Sequence, residues 1–583
     1  MSKNHENEQV VAIIGGGPRG LSALESLHKA LANKDFKGKV KTLLFEETDQ
    51  LGNGPVYHLG QPDTNWLNVS ERGLTIPKRE SINGSGFAIP SFPSYQTWSG
   101  FDERKDVGTI PDKFPLRSEL GTYLGERYAA ITKDLLMLGK LEVVLAKVTS
   151  LDYSDGKFKI TTNVKETYSA DEVVLTIGHQ PTKVDRQLTK WKEKLEADTA
   201  LQLFTAPYPV EDISKDVKED DVIALRGFGL AMIDVARALT EGLGGSFELL
   251  DKDTRKMSYR PSEKNGVQLV PFSLDGLPMT PKPLHLNLDK PYIPSEAELE
   301  AFAERLRNSV RKGGKVSDTR FLIDAITPLI VKKYCSLGDS VYAHTLTEGE
   351  LEKLVANWLE DGSTEDSLII SKSLPAYQSM TAFVEMATGH SKISLDYCIG
   401  QVWRHCQPSM YKELSFTNLD DELIAEIIQL DERLKRYSYG PPVDSLQQLL
   451  ALVDAGAMTF DFVNNPEITQ TAEGWKLERD DKRVIANSMV DSVLDSPKLL
   501  EVNSPLVKSL LSDSLVEPVH SALGINTAEN ALVELGAENN ILPLAVLGRL
   551  AKGTIIGVDA ILECFGERSE LWAEGLVERL ELK

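Results

Sequence analysis

The residues best placed to do chemistry stand near the N-terminus. Residues 11–20 read Val-Ala-Ile-Ile-Gly-Gly-Gly-Pro-Arg-Gly, an apolar run entering a turn with Gly15, Gly17 and Gly20 at the spacing G-x-G-x-x-G. In a dinucleotide cradle each glycine has a task. Gly15 makes the tight turn, Gly17 lets a pyrophosphate approach the backbone, and Gly20 lets the next helix pack on the strand. A helical pattern follows at Leu21, Ala23, Leu24, Leu27 and Leu31. Its N-terminus would offer free N–H groups and a positive dipole end to phosphates. A second strand pattern, Val40 to Phe45, ends in Glu46, 26 residues after Gly20 against the usual ~20. A carboxylate there can accept hydrogen bonds from a ribose diol.

A weaker copy of the motif comes later. The run Val222 to Leu225 enters Gly227-Phe228-Gly229-Leu230-Ala231-Met232, with methionine where the third glycine would stand. Phe247 to Leu250 reads as the next strand of this unit, followed by Asp251 with Lys252 and Arg255 nearby. Arg226, Arg237, Arg255 and Arg260 are candidates for clamping a 2′-phosphate, because the guanidinium fork matches phosphate geometry. Asp251 and these basic groups point in opposite directions, so NADH and NADPH both stay open.

These motifs need elements to hold them. Residues 118–138 read as a helix, Leu141–Val148 and Phe158–Thr162 as strands around the turn Asp155-Gly156, and Glu172 to Gly178 as a buried strand stopped by His179, Gln180 and Pro181. Residues 51–77 read as an extended loop, 290–460 as mostly helical, and Thr459–Leu494 as strands again. This order predicts an α/β protein with two Rossmann-like dinucleotide-binding domains and a large, mostly helical insertion. The expected division is 1–200 for the first part of one nucleotide domain, 201–290 for the second, 291–460 for a helical lid or substrate domain, and 461–583 for the return that completes the first.

Composition narrows the classes. At 583 residues the chain exceeds a single core. A net charge of −23, from 64 basic and 87 acidic residues, argues against nucleic acid and anionic membranes as partners. No apolar run approaches the ~20 residues of a membrane span. The polar start, Met1 to Gln9, has no signal-peptide core, so the expected location is the cytoplasm. The four cysteines form no C-x-x-C, and no H-E-x-x-H occurs, so neither a dithiol centre nor a metal site is expected.

The chain resembles FAD/NAD(P)-binding proteins related to class B flavin monooxygenases and lysine/ornithine N-hydroxylases, and in particular a bacterial FAD-NAD(P)-binding family. The carrying motifs are Gly15 to Gly20 with its Pro-Arg, Gly54-Pro55-Val56-Tyr57, Trp66-Leu67-Asn68-Val69, Phe114-Pro115-Leu116-Arg117, Thr176-Ile177-Gly178-His179-Gln180-Pro181, Tyr259-Arg260-Pro261-Ser262, Asp275-Gly276-Leu277-Pro278, and the final stretch from Gly548 to Asp559. The resemblance implies FAD in the first cradle and NADPH or NADH in the second. With the motifs it implies a cofactor-binding set of Gly15, Gly17, Pro18, Arg19, Gly20, Glu46, Glu47, Trp66, Asn68, Val69, Arg117, Val148, Gly178, Gly227, Gly229 and Asp559. Asn68 and Arg72 would lie near the isoalloxazine, Asp559 near the ribityl chain, and His179 at the nicotinamide–flavin junction. Asn68 and His179 are the candidates for a catalytic role.

The activity this implies is that of an FAD-dependent, NAD(P)H-using monooxygenase. It would transfer oxygen from a C4a-hydroperoxyflavin to a small soluble substrate, with amine N-oxidation as one outcome. The flavin carries the hard chemistry and the protein supplies position and dryness. Two alternatives stand beside it: a flavin reductase, dehydrogenase or oxidase without oxygen insertion, and a non-catalytic FAD-binding protein, for which Met232 is the argument. Substrate identity and oligomeric state are not encoded in any motif.

Overall fold

In the computed structural model, which describes residues 8–102, 108–195, 201–263, 266–311, 316–494, 496–536 and 540–582, two sheets grow from the two apolar runs, one parallel and one parallel but for an antiparallel edge strand. The first unit runs β1 (Gln9–Ile14), helix Pro18–Asn33, β2 (Val40–Glu46), a short hairpin of β3 (Ile82–Gly84) and β4 (Phe87–Ile89), helix Arg117–Met137 and β5 (Leu141–Leu145). An antiparallel meander, β6 (Val148–Ser154), β7 (Lys157–Thr162) and β8 (Thr167–Ala170), then leads into β9 (Glu172–Leu175). After β10 (Gln202–Phe204), the second unit repeats the plan with β11 (Val222–Arg226), helix Leu230–Leu239, a hairpin of β12 (Ser246–Leu249) and β13 (Met257–Arg260), and β14 (Gln268–Phe272). A helical block intervenes. A second meander, β15 (Glu467–Thr471), β16 (Gly474–Arg479) and β17 (Lys482–Ala486), feeds β18 (Ser488–Asp491). The chain ends with β19 (Leu532–Leu535), β20 (Asn540–Val546) and helix Glu567–Glu581.

The sheet orders are β19-β20-β9-β1-β2-β5 and β10-β18-β11-β14. Apart from Gln9 at the start of β1 and Arg226 at the end of β11, both central strands are apolar because both their faces are covered, as parallel strands require. In β1, Val11 and Ile13 pack with Leu21 and Leu24 of the following helix, while Ala12 and Ile14 pack with Phe45 and Val173. In β11, Ile223 and Leu225 pack with Met232 and Val235, while Ala224 meets Val270, Met489 and Trp475 on the other face.

One expectation is corrected. Phe247 to Leu250 does contribute a strand, but β12 pairs antiparallel with β13 in a separate hairpin. The place beside β11 belongs to β14, parallel and in register from Val222↔Gln268 to Arg226↔Phe272. The physical reason is burial. Most of β12 is exposed, whereas four of the five residues of β14 are buried. Pro271 hid this strand from a propensity reading; it is tolerated because β14 meets only isolated bridges on its outer edge, Leu269↔Met458 and Ser273↔Asn464.

The outgoing and returning connections between the units pair with each other. Thr182 and Val502 form an antiparallel bridge, Lys183 N–H donates to Glu501 O at 2.7 Å, and Asn503 N–H donates to Pro181 O at 2.7 Å.

Candidate functional site

The first cradle is built as its glycines require. Gly15 has φ +111° and donates to Phe45 O at 2.9 Å. A Cβ on Gly20 would stand 2.0 Å from Gly15 O, so any side chain there would push the helix off the strand. Gly17 differs: a Cβ on it would meet only Gly54 Cα, at an ordinary 3.7 Å. The protein leaves this slot open, and no side chain caps helix Pro18–Asn33. Free first-turn N–H groups beside a glycine-lined slot fit a pyrophosphate. Glu46 is held at the end of β2, where its carboxylate accepts from Gly16 N–H at 2.7 Å and Glu47 N–H at 2.9 Å. That placement suits a ribose diol.

The second cradle matches it atom for atom in the backbone. Gly227, at φ +114°, donates to Phe272 O at 2.7 Å, as Gly15 does to Phe45 O. Ser492 N–H donates to Arg226 O as Thr176 N–H donates to Ile14 O. A Cβ on Gly229 would meet only Met279 Sδ at 3.8 Å, and helix Leu230–Leu239 is likewise uncapped by any side chain, so a second pyrophosphate fits. Met232, fully buried, fills the space that the third glycine would leave. The residue equivalent to Glu46 is Ser273, whose Oγ accepts from Gly276 N–H at 3.0 Å and donates to Asp275 at 3.4 Å. Asp251, the acid expected to mark this position, instead caps its own turn, accepting from Asp253 N–H and Thr254 N–H.

Between the cradles the sequence-selected residues meet in part. Arg117, at the start of its helix, reaches across to the second unit. It pairs with Asp234 and donates to Tyr208 Oη at 3.1 Å, with its guanidinium over the Tyr208 ring. Burial works against the charge, yet Asp234 and Tyr208 hold Arg117 above its ordinary pKa. Trp66 lies 4.0 Å from the Arg237 guanidinium, a second contact between the units. Asn68 donates to Tyr439 O at 3.4 Å, so the 66–69 loop is tied to the helical block.

The other selected residues have varied settings. Arg19 donates to Val558 O and Glu563 O and so binds the first cradle to the C-terminal segment. Glu47 pairs with Lys147 on the surface, Val148 is buried in the core, and Val69 is half-buried. Gly178 and His179 are exposed at the end of β9, with His179 Nδ1 3.2 Å from Gln180 O. Asp559 sits among Lys435, Lys552 and Arg549, which hold it well below the usual carboxylate range against the effect of burial. Of the arginines considered for a phosphate clamp, Arg226 pairs with Asp185 and Asp491, Arg255 with Asp444, and Arg237 is buried against Gln448 and Ser445.

Sequence reasoning missed a polar cluster behind the 66–69 loop. Arg72 makes a fork to Asp112, at 2.7 and 3.1 Å, and reaches Asp289 at 3.3 Å. Arg404 and His405 also bind Asp289, which is almost wholly buried and held far below the carboxylate range despite that burial. Lys282 donates to Asn68 O. Burial, with Arg404 next in effect, pushes its ammonium down to about 7. The only sequence signal for Lys282 was its position between Pro281 and Pro283. Among the described residues no group of three His, Cys, Asp or Glu could hold a metal, and no helix is long and apolar enough to cross a membrane.

Two glycine cradles, each at the end of a buried parallel strand, define the class: an α/β fold with two Rossmann-like dinucleotide-binding units. Residues 12–180, which hold the first cradle, match the protein family described as FAD-NAD(P)-binding. Over 570 residues the chain is 25% identical to a nitrosuccinic acid synthase of Aspergillus oryzae, covering 89% of this chain and 83% of that one. An L-aspartate N-monooxygenase (nitrosuccinate-forming) of Streptomyces cremeus is 24% identical over 278 residues, 43% of this chain and 40% of its own length. Among solved structures, L-lysine 6-monooxygenase from Pseudomonas syringae aligns over 97% of this chain and 99% of its own, at 13% identity and a TM-score of 0.45.

Proposed function

We propose that the protein is an FAD-containing, NAD(P)H-driven N-monooxygenase that oxygenates the amine of a small amino acid. The observation that carries this reading is the match to the nitrosuccinic acid synthase, which runs through 89% of the chain, far beyond the 12–180 segment of the family match. In this reading the sheet around β1 carries FAD, the sheet around β11 carries the nicotinamide nucleotide, and residues 291–460 form the lid and substrate domain. The bound flavin would supply electron transfer from the nicotinamide and activation of oxygen. The chain's own residues do the rest. Gly17 and the first-turn N–H groups hold the pyrophosphate, and Glu46 holds the ribose. Arg117 with Asp234, and Trp66 with Arg237, hold the two nucleotide units in register across the junction. The helical block, tied to the flavin loop through Asn68 and Tyr439, keeps water from the reacting atoms. The reading extends to a cytoplasmic location, which suits the four unpaired cysteines.

The test is anaerobic mixing of the FAD-loaded protein with NADPH or NADH, then with oxygen and single amino acids, while NADPH oxidation, hydrogen peroxide and N-oxygenated product are measured together. Flavin bleaching with product formed in step with NADPH use is the expected result. Bleaching with every electron ending in peroxide, whatever the amino acid, would move the protein to the reductases or oxidases. A colourless protein that takes up no FAD would end the reading altogether.

A further inference from the structure

Lys282 lies on the segment leading from the second cradle into the helical block. Its ammonium donates to a backbone carbonyl, Asn68 O, and no carboxylate among the described residues stands within ion-pair distance of it. The charges around it are already matched. Arg72 is paired with Asp112, Arg404 and His405 with Asp289, Arg255 with Asp444, and Lys113 with Glu119. Removing an ammonium from water without a counter-ion is strongly unfavourable. The fold nevertheless places this one in the wall of a cavity of about 290 Å³, lined also by Trp66, Asp112, Phe114 and Val443. That volume is near the lower end of ligand pockets, ~300 Å³, and suits a molecule of a few heavy atoms. The five charged side chains in the wall are Lys113, Arg255, Lys282, Asp112 and Asp444, one more cation than anions.

We propose that this cavity is the substrate site and that Lys282 is its carboxylate anchor: the substrate is a small amino acid whose carboxylate pairs with the Lys282 ammonium while its amine faces the Trp66–Asn68 loop. The proposal rests on the N-monooxygenase reading for the meaning of the amine, but not for the binding of the acid. A bound carboxylate would restore to Lys282 the charge that burial has weakened. It would also account for a lysine held between two prolines, since a fixed backbone limits the freedom lost on binding.

The experiment is calorimetric titration of the FAD-loaded protein with L-aspartate and with n-propylamine, an amine without a carboxylate, followed by KM measurement. L-Aspartate should bind the wild type. Lys282→Met should weaken it by about 30-fold or more, and Lys282→Arg by no more than about fivefold, because the charge is kept. n-Propylamine should bind all three equally weakly. Bound FAD and circular dichroism report folding, and Lys282→Gln replaces the methionine variant if that one does not fold. Unchanged L-aspartate affinity in a folded charge-free variant overturns the proposal, as does failure of the wild type to bind L-aspartate or any other proteinogenic amino acid. The two readings fail separately. Lys282-dependent binding without any N-oxygenation leaves the anchor standing and removes the activity. N-oxygenation with a KM indifferent to Lys282→Met does the reverse.

Discussion

The first and second nucleotide units share a plan, and two side-chain differences at their cradles are instructive. Each has a glycine turn after a buried strand, an uncapped helix, a parallel neighbour that receives the turn's N–H, and an antiparallel meander feeding the strand on the other side. Yet Gly20 is matched by Met232, and Glu46 by Ser273. The first change concerns packing. A Cβ at position 20 would collide with Gly15 O, whereas Met232 is accommodated without exposure, so the second helix is set for a side chain in that place. The second change concerns ligand choice. A carboxylate at the strand end accepts from both hydroxyls of a free ribose diol and repels a 2′-phosphate, whereas a serine hydroxyl offers one neutral hydrogen-bonding oxygen and repels nothing. The backbone plan sets that a dinucleotide binds, and these side chains set how tightly and which one.

The strongest way to break the parallel is to close one slot and leave the other open. Gly17→Val should leave the apo fold intact, since its Cβ meets nothing tighter than 3.7 Å, yet cost about 1,000-fold in FAD affinity, read by flavin fluorescence on dilution. Gly229→Val should keep FAD bound and abolish bleaching by NADPH. Next in size, Met232→Ala should destabilise the second unit by ~3 kcal/mol through the cavity it opens, measured by urea unfolding.

A comparable effect is expected from pH through one buried group of the first unit. His28, buried in helix Pro18–Asn33 against Phe87, is pushed down by burial to about 4. The unfolded chain takes up this proton near pH 6.5 and the folded chain only near 4. Stability is therefore full above pH 6.5 and falls by ~3 kcal/mol as pH drops through that window. Thermal unfolding of wild type and His28→Gln at pH 7 and pH 4.5 checks it, the variant losing less. The smallest effect sharpens the ligand side: Ser273→Glu should shift the NADPH-to-NADH preference about tenfold toward NADH, about 1.4 kcal/mol, in the Kd values of NADP+ and NAD+. An unchanged ratio would mean that another residue reads the 2′ position.

Much of this was legible in the sequence because it is local. Glycine spacing, the apolar strands and Glu46 at the end of β2 are all written within a few dozen residues. The second unit was half legible. Its turn and helix could be read, but the inserted hairpin β12–β13 and the proline in β14 sent the search for the acidic residue to Asp251 and away from Ser273. Of the cluster of Arg72, Asp112, Lys282, Asp289 and Arg404 only Arg72 stood out in the sequence, since the members are spread over more than three hundred residues and only folding brings them together. Arg19 shows the same limit differently. Its place in the motif was plain, but its partners, the carbonyls of Val558 and Glu563, lie near the far end of the chain.

The bridge between Thr182 and Val502 bears on the order in which a ribosome can deliver a finished fold. Everything in the sheet of the second unit, from β10 to β18, has been translated by the time Val502 is made. The first unit cannot close until β20 pairs with β9 and helix Glu567–Glu581 docks on helix Pro18–Asn33, where Ser569 meets Ser22. The strands around the glycine turn therefore wait as an incomplete sheet while several hundred later residues are made. During synthesis the inserted half can complete its sheet before the flanking half, whose sheet is whole only once β20 has been made.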